Sequence, residues 1–169
     1  MTIIVCPLHE LDALIERERP ARIISLLSPE QAPPVTPSGT PRLLLQLHDI
    51  AEPREGLIPP GPAAIDALIT FGRSWTEPGP MAVHCFAGIS RSTATALIIA
   101  CALDPDRDEH EAAQALRAAS PTATPNPLMI ALADARLGRQ GRLAKAAAAI
   151  GRGAEAWAGE PFRYPVRTR

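Results

Sequence analysis

A histidine and a cysteine stand side by side, five residues separate the cysteine from an arginine, and a serine follows: His84-Cys85-Phe86-Ala87-Gly88-Ile89-Ser90-Arg91-Ser92. The segment sits between a short apolar run, Met81 to His84, and a long one, Arg91 to Ala102. That is the pattern of a strand leading through a loop into a buried helix. A loop at a helix N-terminus aims free backbone N–H groups at one point, and the helix dipole makes that point favourable for an anion. Gly88 admits backbone angles that a residue with a Cβ resists. Arg91 can lay two parallel hydrogen bonds along one edge of a phosphate. Phe86, Ala87, Gly88, Ile89, Ser90 and Arg91 would thus form a nest for a dianionic tetrahedral group, and phosphate, sulfate or vanadate is the anion expected in it.

Cys85 lies at the foot of this nest. Surroundings that hold phosphate also favour a thiolate, and a thiolate facing a bound phosphoryl group is an in-line nucleophile. The hydroxyl of Ser92 could donate a hydrogen bond to the sulfur when it later departs. The competing reading of Cys85, a small buried apolar residue, does not account for the company of Gly88, Arg91 and Ser92 at this spacing.

The elements that must position these residues follow from the apolar pattern. Thr2 to Val5, Arg22 to Leu27, Arg42 to Leu47 and Met81 to His84 read as strands. Helices are expected from Pro7, with Leu8, Leu11 and Ile15 on one face, from Pro62, with Ile65, Leu68 and Ile69 on one side, and over Arg91 to Ala102. Asp104-Pro105 and Asn126-Pro127 read as cap and first residue of two more, ending at Ala119 and near Gly138. Five prolines make Ser28 to Pro41 an irregular loop, and Ile50 to Gly61 is another. Strands alternating with helices imply an α/β fold in three layers, a central, mainly parallel sheet of four to five strands flanked by helices. Residues 1–138 would form the domain. Residues 139–169 carry a net charge of +5 against -6 for the rest, and read as a basic, partly helical C-terminal extension, with a helix over Ala144 to Ile150.

Composition narrows the function classes. The chain has 169 residues, enough for one domain, and a net charge of -1, which argues against bulk attraction to nucleic acid. No apolar run reaches the length of a membrane span. Met1 to Arg19 lacks the basic-then-apolar pattern of a signal peptide. Cys6, Cys85 and Cys101 are an odd number without metal-ligand spacing, so a reducing cytoplasm is expected rather than a disulfide framework. Thirty alanines, 19 prolines and 16 arginines against one lysine resemble the codon bias of a GC-rich bacterial genome.

The nine-residue segment resembles the signature of cysteine-dependent protein tyrosine and dual-specificity phosphatases. The form His-Cys-x-Ala-Gly-x-Ser-Arg-Ser looks most like the small dual-specificity branch and its short bacterial relatives. The resemblance implies a protein tyrosine phosphatase-like fold over roughly Thr2 to Gly138. It makes Cys85 the nucleophile, Arg91 the phosphate clamp and Ser92 the residue assisting breakdown of a phosphocysteine, with His84 orienting the loop. The implied activity is hydrolysis of a phosphorylated protein or aryl phosphate. No metal is needed, because loop and arginine already supply the positive field.

Expelling an alkoxide or phenoxide calls for a proton donor. The family draws an aspartate from an upstream loop. Here Leu47-His48-Asp49-Ile50 closes a strand 36 residues before Cys85, and the carboxyl ends of parallel strands form one edge where sites assemble. Asp49 is the candidate acid, and the same carboxylate could then act as base on the hydrolytic water. Glu52 and Glu55 compete with it, His48 is a further donor, and a solvated loop acid is the bland alternative. The Pro125-Asn126 pair resembles one that braces the phosphate loop in dual-specificity relatives, and Asn126 is equally a plain helix cap. Cys6, Cys101, His9 and His110 are assigned to packing or surface, with Cys6 a resolving thiol should it approach Cys85. Asp104, Asp106, Asp108 and Glu109 read as helix-start acids rather than a metal cluster. Two rival readings share the motif: a module that binds phosphorylated residues without turnover, and a rhodanese-like sulfurtransferase, whose loops are mostly one residue shorter.

Overall fold

The computed structural model describes residues 1–166. Strands β1 (Thr2–Pro7), β2 (Arg22–Leu27), β3 (Arg42–Gln46), β4 (Met81–Cys85) and β5 (Phe162–Pro165) form one sheet in the order β3-β2-β4-β1-β5. The first four are parallel, and β5 pairs antiparallel with β1. The α-helices are α1 (Leu11–Glu18), α2 (Pro62–Arg73), α3 (Arg91–Leu103), α4 (Glu109–Ala119), α5 (Pro127–Arg136) and α6 (Arg142–Ala149). Among the described residues no helix is long and apolar enough to cross a membrane.

Alternation along the strands sorts the side chains into two layers of packing. Ile3, Val5, Ile24, Leu26, Met81, Val83 and Cys85 join one core with residues of α2 to α6. Ile4, Cys6, Ile23 and Ala82 pack on the other face with Leu11 and Leu14 of α1. The result is the three-layer α/β architecture, with α1 alone on one side. Helix α3 is buried from Arg91 to Ala102 on every face, as its unbroken apolar sequence requires. The parallel strands end on one edge, so the segments after β3 and β4 emerge together.

Two helix starts differ from expectation. Pro7 ends β1, and a short 3-10 turn, Leu8–Glu10, precedes α1. Asp104-Pro105 does not open α4: Asp104 closes α3 with non-helical angles, and Asp108 makes the cap, accepting the Glu111 amide at 2.8 Å. Only the second aspartate reaches an amide of the first turn, and that contact sets the start.

The residues beyond Gly138 add α6 and the edge strand β5 to this body. The Asp134 carboxylate accepts the amides of Gly141, Leu143 and Ala144 at 2.6, 2.8 and 3.1 Å, capping α6 from a neighbouring helix. Tyr164 is fully buried on β5, its hydroxyl donating to Ala112 O at 2.9 Å. Arg107 lies over its ring and donates to the carbonyls of Pro165 and Val166. The opposite charges of the two parts of the chain meet within the molecule: Glu109 pairs with Arg139 and Arg142 at 3.0 and 3.2 Å, and Glu18 pairs with Arg163.

Candidate active site

Cys85 is the last residue of β4 and only 1% exposed. The Gly88 amide donates to its Sγ at 3.3 Å, and Ser92 Oγ lies 3.2 Å from the same sulfur. Gly88 has φ +71°, and a Cβ there would stand 2.7 Å from Pro7 N and 2.9 Å from Cys6 C. The end of β1 is therefore packed directly behind the loop, and only glycine fits.

The loop's carbonyls are held on its outer side. Phe86 O accepts from Leu8 N at 3.0 Å, Ala87 O from Gly159 N at 2.8 Å, and Ile89 O from Thr124 N at 2.9 Å. Ser90 O accepts from Ala94 N at 3.0 Å and Asn126 N at 3.3 Å. Thr93 Oγ1 adds bonds to the Ile89 and Ser90 carbonyls. A peptide group whose oxygen is fixed outward turns its N–H inward, so these outer bonds direct the loop's amides to its concave side.

Arg91 opens α3 and is 4% exposed. Its Nη1 donates to Leu47 O at 2.7 Å, and its Nε, buried without a hydrogen-bond partner, lies 3.9 Å from Asp49 Oδ2. Asp49 Oδ1 accepts from Ser90 Oγ at 2.7 Å and from Asn126 Nδ2 at 2.8 Å. Asn126 Oδ1 accepts the Met129 amide at 3.0 Å and so caps α5. The Asn126 side chain thus caps α5 and holds Asp49, while its backbone amide is the group that meets the loop, at Ser90 O. The structure joins Asp49, Ser90 and Asn126 by hydrogen bonds, with the Arg91 guanidinium at ion-pair distance from the Asp49 carboxylate.

The competing acids do not enter this group. Glu52 and Glu55 are exposed on the loop beyond it. His48 ties that loop together: its Nδ1 accepts the Ile58 amide at 2.8 Å, its amide donates to Ile58 O at 2.7 Å, and its Nε2 lies 3.2 Å from Glu30.

His84 is fully buried, and its hydrogen bond runs to Ser25 on β2, not to the sulfur: Nε2 is 2.7 Å from Ser25 Oγ, which also accepts from Arg42 Nε at 3.1 Å. Burial pushes the imidazole down to about 4, against the opposing pull of the Cys85 backbone, and the charges of Arg42 and Arg91 add to the fall. The ring is neutral near pH 7. Cys6 stands beside this site on β1, opposite His84 in register. Burial first, then proximity to Cys85, pushes its thiol up to about 12, and burial pushes Cys101 to about 11. Both are protonated, buried thiols.

Sequence reading did not find Ser25, the Leu47 carbonyl or Gly159. Ser25 lies in a strand with no motif around it. A backbone carbonyl carries no residue-type signal, and Gly159 is 71 residues from Gly88 along the chain.

No protein-family model matches the chain, and no curated protein matches it in sequence. Solved structures do share its fold. A crystal structure of DUSP15 superposes with a TM-score of 0.58 at 22% identity, covering 82% of this chain and 88% of that one. A mouse putative dual specificity phosphatase complexed with zinc tungstate gives 0.54 at 17%, covering 80% and 79%. The chain has the fold of a dual specificity phosphatase, with its sheet and flanking helices matched over most of both lengths.

Proposed function

We propose that this chain is a metal-independent phosphomonoester hydrolase that works through a phosphocysteine, a protein tyrosine phosphatase of the dual-specificity type. One observation carries the reading: Cys85 Sγ lies under the Gly88 amide and 3.2 Å from Ser92 Oγ, in a loop whose clamp Arg91 is 3.9 Å from Asp49. A fold neighbour is complexed with zinc tungstate, and tungstate is a tetrahedral dianion of phosphate's shape.

The reaction proceeds in two displacements. The phosphoryl oxygens take hydrogen bonds from the amides of residues 86–91 and the Arg91 guanidinium, which strengthen as charge spreads over them in the transition state. The sulfur attacks phosphorus in line, the bond to the ester oxygen breaks, and the Asp49 carboxyl gives that oxygen its proton. In the second step Asp49 takes a proton from water, whose oxygen attacks phosphorus. The sulfur leaves as thiolate, hydrogen-bonded by Ser92. Asn126 and Ser90 hold the Asp49 carboxylate by one oxygen, leaving Oδ2 to carry the proton.

Release of phosphate from an aryl phosphate and a phosphotyrosine peptide, with a chelator present, tests the reading. The wild type should turn over both, and Cys85→Ser should lose more than about a thousandfold in kcat. Equal activity in the variant, or activity abolished by the chelator, would overturn it.

A further inference from the structure

Trp157 is three-quarters exposed and Phe86 nearly half, in a chain with only six aromatic residues. These two and His9 form one aromatic cluster. The Trp157 ring lies edge-on to Phe86 at 6.0 Å and tilted to His9 at 5.9 Å. Phe86 is the residue after Cys85, and His9 follows Leu8, whose amide bonds the Phe86 carbonyl. The cluster therefore stands on the loop itself, at the residue that follows Cys85.

Trp157 is held there by backbone. Two residues on, Gly159 N donates to Ala87 O in the loop at 2.8 Å. A Cβ at Gly159 would come within 3.3 Å of Gly88 O and 3.2 Å of Thr122 Oγ1, so the tail lies flat on the loop. Upstream, Gly153 N and Ala154 N bond Thr124 Oγ1 and Pro121 O at 3.0 and 2.9 Å. The connection from α6 to β5 is thus a strap laid along the loop's wall, with one large indole standing out of it. An exposed indole whose strap is fixed to the phosphate loop and whose ring meets Phe86 offers a flat apolar face to a substrate group lying beside the phosphate.

Building on the phosphatase reading above, we propose that Trp157, with Phe86 and His9, is the aryl-recognition wall of this enzyme: it packs on the ring of phosphotyrosine and sets the preference for aryl over alkyl phosphates. Phosphothreonine has no ring to meet it. Aromatic pairs of this geometry contribute enough to shift specificity by about five- to tenfold. The experiment compares kcat/KM for two peptides of one sequence, bearing phosphotyrosine or phosphothreonine, in wild type, Trp157→Ala and Trp157→Phe. In Trp157→Ala the phosphotyrosine-to-phosphothreonine ratio should fall about five- to tenfold, carried by KM rather than kcat, and Trp157→Phe should restore most of it. An unchanged ratio, or a loss shared equally by the two peptides, overturns the aryl wall while leaving the phosphatase reading standing. A wild type inactive on both peptides and on an aryl phosphate overturns the phosphatase reading and the wall together.

Discussion

Asn126 holds Asp49 with one end of its amide and caps α5 with the other: Nδ2 donates to Asp49 Oδ1 at 2.8 Å while Oδ1 accepts the Met129 amide at 3.0 Å. The helix start and the candidate acid are thereby one unit, and the two effects separate by experiment. Asn126→Asp keeps a cap acceptor but removes the donor to Asp49 and sets two carboxylates together. It should retain most of the stability and lose about tenfold or more in kcat. Asn126→Ala should in addition lose about 1 kcal/mol in urea unfolding. Equal activity in both variants and the wild type would contradict the coupling.

Asp49→Asn removes the proposed proton donor without changing shape. The loss in kcat should be about a hundredfold or more on an alkyl phosphate, whose leaving oxygen needs the proton, and smaller on a nitrophenyl ester, whose leaving group departs as an anion. A leaving-group series measures it. A uniform loss across the series would assign Asp49 to holding Arg91 instead.

Gly88 is required by its positive φ and by the end of β1 behind it. Gly88→Ala must move the loop away from Pro7 and Cys6, and a shift of about 1 Å at a reacting centre costs on the order of a hundredfold in rate. The variant should still fold, since the sheet's registers lie outside the loop. Circular dichroism and turnover, measured together, test this.

The neutral, buried His84 gives a defined acid sensitivity. Its pKa falls from 6.5 to about 4 on folding, so between those values the unfolded chain binds more protons than the folded one. Stability should therefore be full above pH 6.5 and decline as pH falls toward 4, by about 3 kcal/mol in all. His84→Gln has no titrating ring and should show a flatter urea midpoint over that window. A slope as steep as the wild type's would place the sensitivity elsewhere.

The layout of the candidate site was legible because it is local. Nine adjacent residues carry the loop, and strand, turn and helix signals on either side say where it sits. Asp49 and Asn126 were reachable because parallel strands share an edge and because Asn-Pro marks a helix start. The tail was not legible. Phe162–Pro165 is four residues with an arginine and a proline, too short and mixed to read as a strand, and its place is set by Tyr164 burying against Ala112 and by Arg107. The excess of basic charge beyond Gly138 reads as a solvated extension or a helix laid on the domain, and it does not say that Arg139 and Arg142 pair with Glu109, or Arg163 with Glu18. Tyr164→Ala should accordingly cost about 3–5 kcal/mol, the range for a large buried aromatic.

In the proposed reaction phosphorus passes through a covalent bond to Cys85. Acid quench of the Ser92→Ala variant during turnover of a phosphotyrosine peptide, followed by mass spectrometry of the digest, addresses it directly. With the hydrogen bond to the departing sulfur removed, the peptide containing Cys85 should carry one phosphoryl group, absent in Cys85→Ser. Steady release of phosphate with Cys85 unmodified throughout, and undiminished when that residue is replaced, would contradict the account.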